Sequence, residues 1–424
     1  MAEEKRHEEQ EFSFVKEKIK KQPFYQNRAL RRGGLQLAFS VVCGVVACFV
    51  FVMVHPWMER TFGKEELTEI TIPQEEEEEE TQIQENTQTQ EPVVITEPQE
   101  LDLDDYARLY AELREAASAA SASLATVTVS SSDTDWFNET YESRSQVSGL
   151  LVGNNGVEIL ILTSYSKVAG ADRIQASFAD GSSLDAVLKN YDAITDLAVL
   201  SVNLADVGET TRENIRIAEL GSSKSLKAGE PVIAVGSPAG IADSVKFGTL
   251  VSAGYRTGVI DGEYRLLITD MERSENGSGV LLNLNGQVIG LLEDAYLNSS
   301  NENSLTAYAI SDMKEVIEHL SNSQALVYMG IHGIDVTEEI SEAQGIPAGV
   351  YVSGVEPESP AMSSGIQAGD IITEINSKEI TSISQVQEMM LKFSRGQVIR
   401  VMIVRQGRDG YKEIECSVTV DVLR

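Results

Sequence analysis

Histidine is nearly absent from this chain: of 424 residues only His7, His55, His319 and His332 carry an imidazole, and none falls between His55 and His319. Chemistry along that central stretch therefore has no imidazole of its own to move a proton. Cysteine is as scarce, with Cys43 and Cys48 inside an apolar run and Cys416 near the C-terminal end. Those three positions make neither a disulfide framework nor a metal-ligand cluster, and no metal or cofactor is expected. Basic residues are outnumbered, 34 Lys and Arg against 66 Asp and Glu, giving a net charge of -32 and a pI near 4.5. No basic stripe follows the N-terminal segment, so no nucleic-acid partner is expected.

The charge that is there is unevenly placed. Positions 58 to 105 hold 17 acidic residues against only Arg60 and Lys64, including six consecutive glutamates at 75–80. Such a stretch cannot bury enough apolar surface to offset its ordering entropy, and like charges extend it, so residues 55–100 read as an acidic disordered linker. Ahead of it, residues 1–34 form a charged tail with nine Lys or Arg, among them Arg28, Arg31 and Arg32. Residues 35–54 are then twenty positions without a charge, and at about 1.5 Å per residue they span about 30 Å, the hydrocarbon thickness of a bilayer. The long leading tail and the bulky exit His55-Pro56-Trp57-Met58, which has no small-residue cleavage site, argue against a cleaved signal peptide. The expectation is a retained transmembrane helix at 35–54, with the N-terminus cytoplasmic and the bulk of the chain extracytoplasmic. Residues 101–120, with Tyr106, Leu109, Tyr110 and Leu113 on one face, predict an amphipathic helix that packs on the next domain or serves assembly.

From residue 123 the pattern changes to short strands, at 124–129, 149–152, 159–163, 174–178, 186–188, 197–202 and 231–235, with turns at Asn154-Asn155-Gly156 and Asp180-Gly181. This spacing implies an all-β barrel or sandwich. The clearest local signal lies at 268–292, where apolar residues flank Asn283-Leu284-Asn285-Gly286 in the manner of a hairpin closed by Asn-Gly. A small loop, Ser274-Glu275-Asn276-Gly277-Ser278-Gly279, leads into it. Residues 328–423 read as a separate α+β module with a helix expected at 383–393. A helix at 311–321, with Met313, Val316, Ile317 and Leu320 on one face, would join the two.

The loop and hairpin resemble the nucleophile region of trypsin-fold serine proteases of the HtrA (Deg) family, G-N-S-G-G-P followed by L-L-N-x-x-G-x-V-I-G. Other segments resemble that family in order: Ser148-Gly149-Leu150-Leu151-Val152, Leu162-Thr163-Ser164-Tyr165-Ser166-Lys167-Val168 in the place of L-T-N-x-H-V-V, Phe178-Ala179-Asp180-Gly181, Thr195-Asp196-Leu197-Ala198-Val199-Leu200, Ala234-Val235-Gly236-Ser237-Pro238 and Gly248-Thr249-Leu250-Val251-Ser252. Tyr328-Met329-Gly330-Ile331 resembles the Y-L-G-I carboxylate-binding loop of HtrA-type PDZ domains, and Gly349-Val350-Tyr351-Val352, Ser359-Pro360-Ala361 and Gly369-Asp370-Ile371-Ile372 follow at that family's spacing. The resemblance implies a mainly β chain: a trypsin-like double β-barrel at 121–325, then an α+β PDZ domain at 326–424. It also implies protein or peptide C-termini as partners and a possible homotrimer.

The resemblance equally implies what is missing. A serine hydroxyl becomes nucleophilic when a base, held by an acid, takes its proton. Here Asp196 stands at the family's aspartate, Ser166 at its histidine and Gly277 at its serine, so two of the three groups are replaced. Ser278, one place later, is the remaining candidate nucleophile, but it lacks a histidine. A Ser-Lys arrangement through Lys167 is disfavoured because strand alternation would point Lys167 away from Ser166. Glu275 adds negative charge where an oxyanion would need stabilising. The expectation is a catalytically inert scaffold with Asp196 in a structural role, bonded to backbone and Ser166. The peptide-binding residues are expected at Tyr328, Met329, Gly330 and Ile331, with Ile334, Met389 and Met390 shaping a pocket; for Ile331 and Ile334 a place in the core remains an equal alternative. The competing reading is an active endopeptidase using Ser278.

Overall fold

The computed structural model describes residues 68–75, 102–134, 140–292, 303–408 and 410–423, all within one compact unit, Leu67–Arg424. The expected transmembrane helix at 35–54 lies outside the described residues; among those, no helix is long and apolar enough to cross a membrane.

Six strands close the first barrel: β1 (Leu124–Thr134), β2 (Thr140–Asn154), β3 (Glu158–Ser164), β4 (Arg173–Phe178), β5 (Ser183–Asp192) and β6 (Leu197–Asn203), in the order β1-β2-β3-β6-β5-β4. Six more close the second: β7 (Pro231–Ser237), β8 (Ser244–Val259), β9 (Gly262–Glu272), β10 (Ser278–Leu282), β11 (Val288–Leu292) and β12 (Ser304–Ala309), in the order β10-β11-β12-β9-β8-β7. Several strands read as unbroken apolar runs because both faces are buried. On β3, Ile159 and Ile161 point into the first barrel while Leu160 and Leu162 point between the barrels. On β10, Leu281 fills the second barrel and Val280 and Leu282 the seam. Alternation with period two thus feeds two cores at once, each fully buried Leu or Ile contributing about 1.5–3 kcal/mol of transfer free energy. The hairpin expected at the Asn-Gly turn is β10-β11, its turn held by the Asn283 side-chain oxygen, which accepts from Asn285 N and Gln287 N, each at 3.0 Å.

The helix Leu103–Ala120 starts with a reciprocal cap between Asp102 and Asp105. Its packing begins at Tyr110, whose ring meets Phe247 edge-on at 5.9 Å; Leu113, Ala116, Ala117 and Ala120 join the seam, whereas Tyr106 and Leu109 remain 60% and 52% exposed. The connecting helix Ile310–Ser321 buries Met313, Val316, Ile317 and Leu320 in the same seam.

One expectation is corrected. Within the supposed solvated linker at 55–100, residues 68–75 are an extended strap lying on the barrels. Ile72 is buried and its N–H donates to Glu318 Oε2 at 2.7 Å; Ile70 exchanges two hydrogen bonds with the Asn322 amide, at 2.9 and 2.7 Å. Glu75 on the strap accepts from Lys314 Nζ (2.9 Å), Ser311 Oγ (2.8 Å) and Ser222 Oγ (2.7 Å). Burial pushes the Glu75 carboxyl up, but those donors outweigh it and hold the group below the usual carboxylate range. The strap adheres because it is not wholly polar: Ile70 and Ile72 alternate onto apolar surface.

The C-terminal domain is a sheet in the order β13-β14-β15-β17-β18, of strands β13 (Ile331–Val336), β14 (Gly349–Val355), β15 (Ile371–Ile375), β17 (Val398–Gly407) and β18 (Gly410–Thr419), with the short β16 (Lys378–Glu379) paired to β15. The helix Ile383–Met390 lies beside β13, its N-terminus capped by the Ser382 hydroxyl and by Asp335 Oδ1, which accepts from Ile383 N at 2.6 Å.

Candidate functional site

Asp196, Ser164 and Ser278 line a small cleft between the barrels. Residues 165–168 are one helical turn there, Tyr165–Val168, and not the strand on which the Lys167 argument rested; Lys167 is exposed. Asp196 fastens that turn. Its backbone has φ of 55° and its carbonyl accepts from Tyr165 N at 2.8 Å. Its carboxylate accepts from Ser166 N (2.6 Å), from Ser166 Oγ (2.9 Å) and from Ser164 Oγ. Every one of those donors comes from the segment where the family carries its histidine.

On the facing barrel, the Ser278 hydroxyl accepts from Ser148 N at 3.0 Å, tying β10 to β2. Gly277 N donates to Ser274 O at 2.8 Å, so the amide at the nucleophile position is turned into its own loop and away from an incoming oxyanion. A β-carbon at Gly277 would lie 2.9 Å from the Ser274 carbonyl oxygen. The imidazoles among the described residues sit elsewhere, His319 on the connecting helix and His332 on β13. As arranged, the cleft holds hydroxyls and a carboxylate but no imidazole.

The carboxylate loop is built differently. Gly330 takes φ of 97°, and a β-carbon there would lie 2.4 Å from the Ser359 β-carbon, so the position calls for glycine on both counts. That turn aims three successive amides at one point, and a carboxylate occupies it: Asp261, from the two-residue turn between β8 and β9. Its oxygens accept from Met329 N, from Gly330 N (2.9 and 3.0 Å) and from Ile331 N (2.9 Å). Asp261 N in turn donates to Ile331 O at 2.8 Å. Of the four residues expected to bind peptide, Met329, Gly330 and Ile331 supply these donors. Tyr328 does not, because its N–H donates to Asp421 O at 2.8 Å. Ile331 and Met390 belong to the domain core, Met389 packs at its edge, and Ile334 is exposed on β13.

Asp261 is 4% exposed. Burial drives its carboxyl up to about 6 against the pull of the three amides and of nearby His332. His332 Nε2 is paired with Glu356 Oε1 at 2.5 Å; the Tyr328 phenol lies within electrostatic reach, and Asp192 borders the same small cavity. Glu263, next on the hairpin, pairs with Arg256 at 2.7 Å. Sequence reasoning missed Asp261. Its Asp-Gly step marks a hairpin turn, but nothing local says where that turn docks.

Comparison with known proteins matches this architecture. Residues 147–291 fit the model of a trypsin-like peptidase domain and residues 351–405 that of a PDZ domain. The Serine protease Do-like HtrA of Lactobacillus helveticus is 30% identical over 292 residues, covering 64% of this chain and 68% of that protein. The chain belongs to the HtrA family. A probable periplasmic serine endoprotease, DegP-like, of Halomonas elongata is 31% identical over 272 residues, 63% of this chain, and this HtrA-family chain spans about half (55%) of that relative's length. The solved structure of the HtrA-type protease AlgW with a decapeptide shares the fold, with a TM-score of 0.52 at 22% identity over 73% of this chain and 98% of that one.

Proposed function

We propose that this HtrA-family chain is a membrane-anchored pseudoprotease: an inert trypsin-fold scaffold carrying a PDZ domain that binds protein C-termini on the extracytoplasmic side. The observation that carries this reading is the use of Asp196 as a fastener, its carboxylate taken up by Ser166 and Ser164 with no imidazole in the cleft. Ser278, bonded to Ser148 N, is an unactivated hydroxyl, and removing triad members leaves only weak residual catalysis. Three converging amides at Met329, Gly330 and Ile331 support capture of a carboxylate, with an extended peptide added along β13. The uncharged run at 35–54 supports the anchor. Trimer formation through the barrels, and a role in envelope quality control or in regulating an active relative, complete the proposal.

The test is casein cleavage and fluorophosphonate labelling of the full-length protein beside Ser278→Ala. Neither protein should cleave or label. Cleavage by the wild type that is lost in Ser278→Ala overturns the reading and makes the chain an endopeptidase.

A further inference from the structure

We propose that the peptide groove is held by the chain itself: the β8–β9 hairpin tip is an internal ligand whose Asp261 side chain imitates a C-terminal carboxylate, so an external C-terminus binds by displacing it. This rests on reading the PDZ domain as a C-terminus binder and adds what regulates it.

Three contacts reproduce the parts of a bound peptide. The carboxylate takes all three loop amides. The backbone of the same residue makes the strand-addition bond, Asp261 N to Ile331 O. The chain then continues against the groove helix Ile383–Met390. There Gln387 Oε1 accepts from Glu263 N at 3.1 Å, Ser384 Oγ donates to Glu263 Oε1 at 3.0 Å, and Gly262 fits closely against Gln387, where a β-carbon would approach to 2.8 Å.

The turn is shaped for this. Val259 pairs with Gly262, leaving Ile260 and Asp261 as the connection, and Asp261 takes φ of 58°, a conformation that aspartate tolerates better than most residues. A buried carboxylate at a hairpin tip is costly unless its hydrogen bonds are supplied. Here a second domain supplies them. A free peptide terminus offers the loop the same carboxylate chemistry, so exchange replaces like with like and is decided by effective concentration and side-chain fit. While the tip is docked, the apparent affinity for an external peptide is reduced by the fraction of molecules that are open.

The experiment uses the full-length protein and its Asp261→Ala and Asp261→Asn variants. The probes are fluorescein-labelled decapeptides ending in Val, Leu or Phe, each with a free and an amidated C-terminus. Binding is read by anisotropy, and hydrogen exchange of residues 326–336 is read without peptide. The expected result is faster exchange at Met329, Gly330 and Ile331 in Asp261→Ala, with free-carboxylate peptide bound at least about tenfold more tightly than by wild type. Asp261→Asn, which keeps the shape and one acceptor, should fall between. Unchanged exchange together with unchanged affinity overturns the internal ligand while leaving C-terminus binding intact. Faster exchange with neither peptide form bound by any variant supports the internal ligand and removes the C-terminus reading instead.

Discussion

Two aspartates in this molecule do the same chemistry with different reach. Asp196 and Asp261 both take left-handed backbone, and both receive backbone amides on their carboxylates. Asp196 draws its donors from one turn of the same barrel and secures local structure where a catalytic acid would stand. Asp261 draws its donors from another domain, on residues 68 to 70 positions away, and closes a binding site. The contrast shows that a carboxylate's role is set by whose amides it satisfies. At Asp196 the carboxylate fastens a turn of its own barrel. At Asp261 the ligand site stays intact and merely filled.

The sharpest way to break this contrast is Gly330→Ala. It forces a β-carbon into Ser359 at a positive φ, and should cost on the order of 3 kcal/mol in thermal or urea unfolding while exposing the Met329 and Ile331 amides to exchange. Asp196→Ala should cost less, about 2 kcal/mol, because one turn loses its fastener. It should leave peptide affinity unchanged, and a matching loss of peptide affinity would make the two aspartates one coupled system.

Titration gives a smaller effect. The docked Asp261 carboxyl lies at about 6, above the ordinary 3.8, so docking takes up a proton in the window between them. The hairpin is therefore held most firmly below about pH 4, and that advantage is lost as pH rises through 6. Free-carboxylate peptide should bind wild type roughly tenfold more tightly at pH 7.5 than at pH 5, and the slope should vanish in Asp261→Asn. The smallest expected effect is none: Ser166→His with Gly277→Ser should not create casein cleavage, since a side chain introduced at position 277 meets the Ser274 carbonyl and the Gly277 amide is already engaged. Cleavage would mean that the loop reopens without difficulty.

Much of the fold was legible in the sequence because its signals are local. The Asn-Gly hairpin, the strands with two buried faces and the helices at 103–120 and 310–321 each follow from residues within one turn or one strand. The loop at 328–331 was legible as a carboxylate cradle only through its resemblance to the Y-L-G-I loop of HtrA-type PDZ domains. What escaped depends on distant partners. Residues 68–75 sit in the most acidic part of the chain, and only Ile70 and Ile72 hint that they adhere to a helix some 250 residues later. Tyr106 and Leu109 share an apolar stripe with Leu113 and yet stay exposed, Tyr106 resting only on the Tyr110 ring that meets the barrel at Phe247. Asp261 looked like any turn residue, since the amides that give it meaning lie in another domain.

The strap at 68–75 also has a mechanical meaning. After Thr68, its attachments to Asn322, Glu318 and Lys314 run backward from the C-cap along the twelve-residue helix Ile310–Ser321, so a lengthwise pull is shared among several bonds. A pull on the start of the strap is met first at the turn between β2 and β3, where Asn155 O accepts from Thr68 N at 3.1 Å, and then along that rod. The same rod leads, within ten residues, into the loop that grips Asp261. The helix thus connects the strap on its one side to the peptide groove on its other.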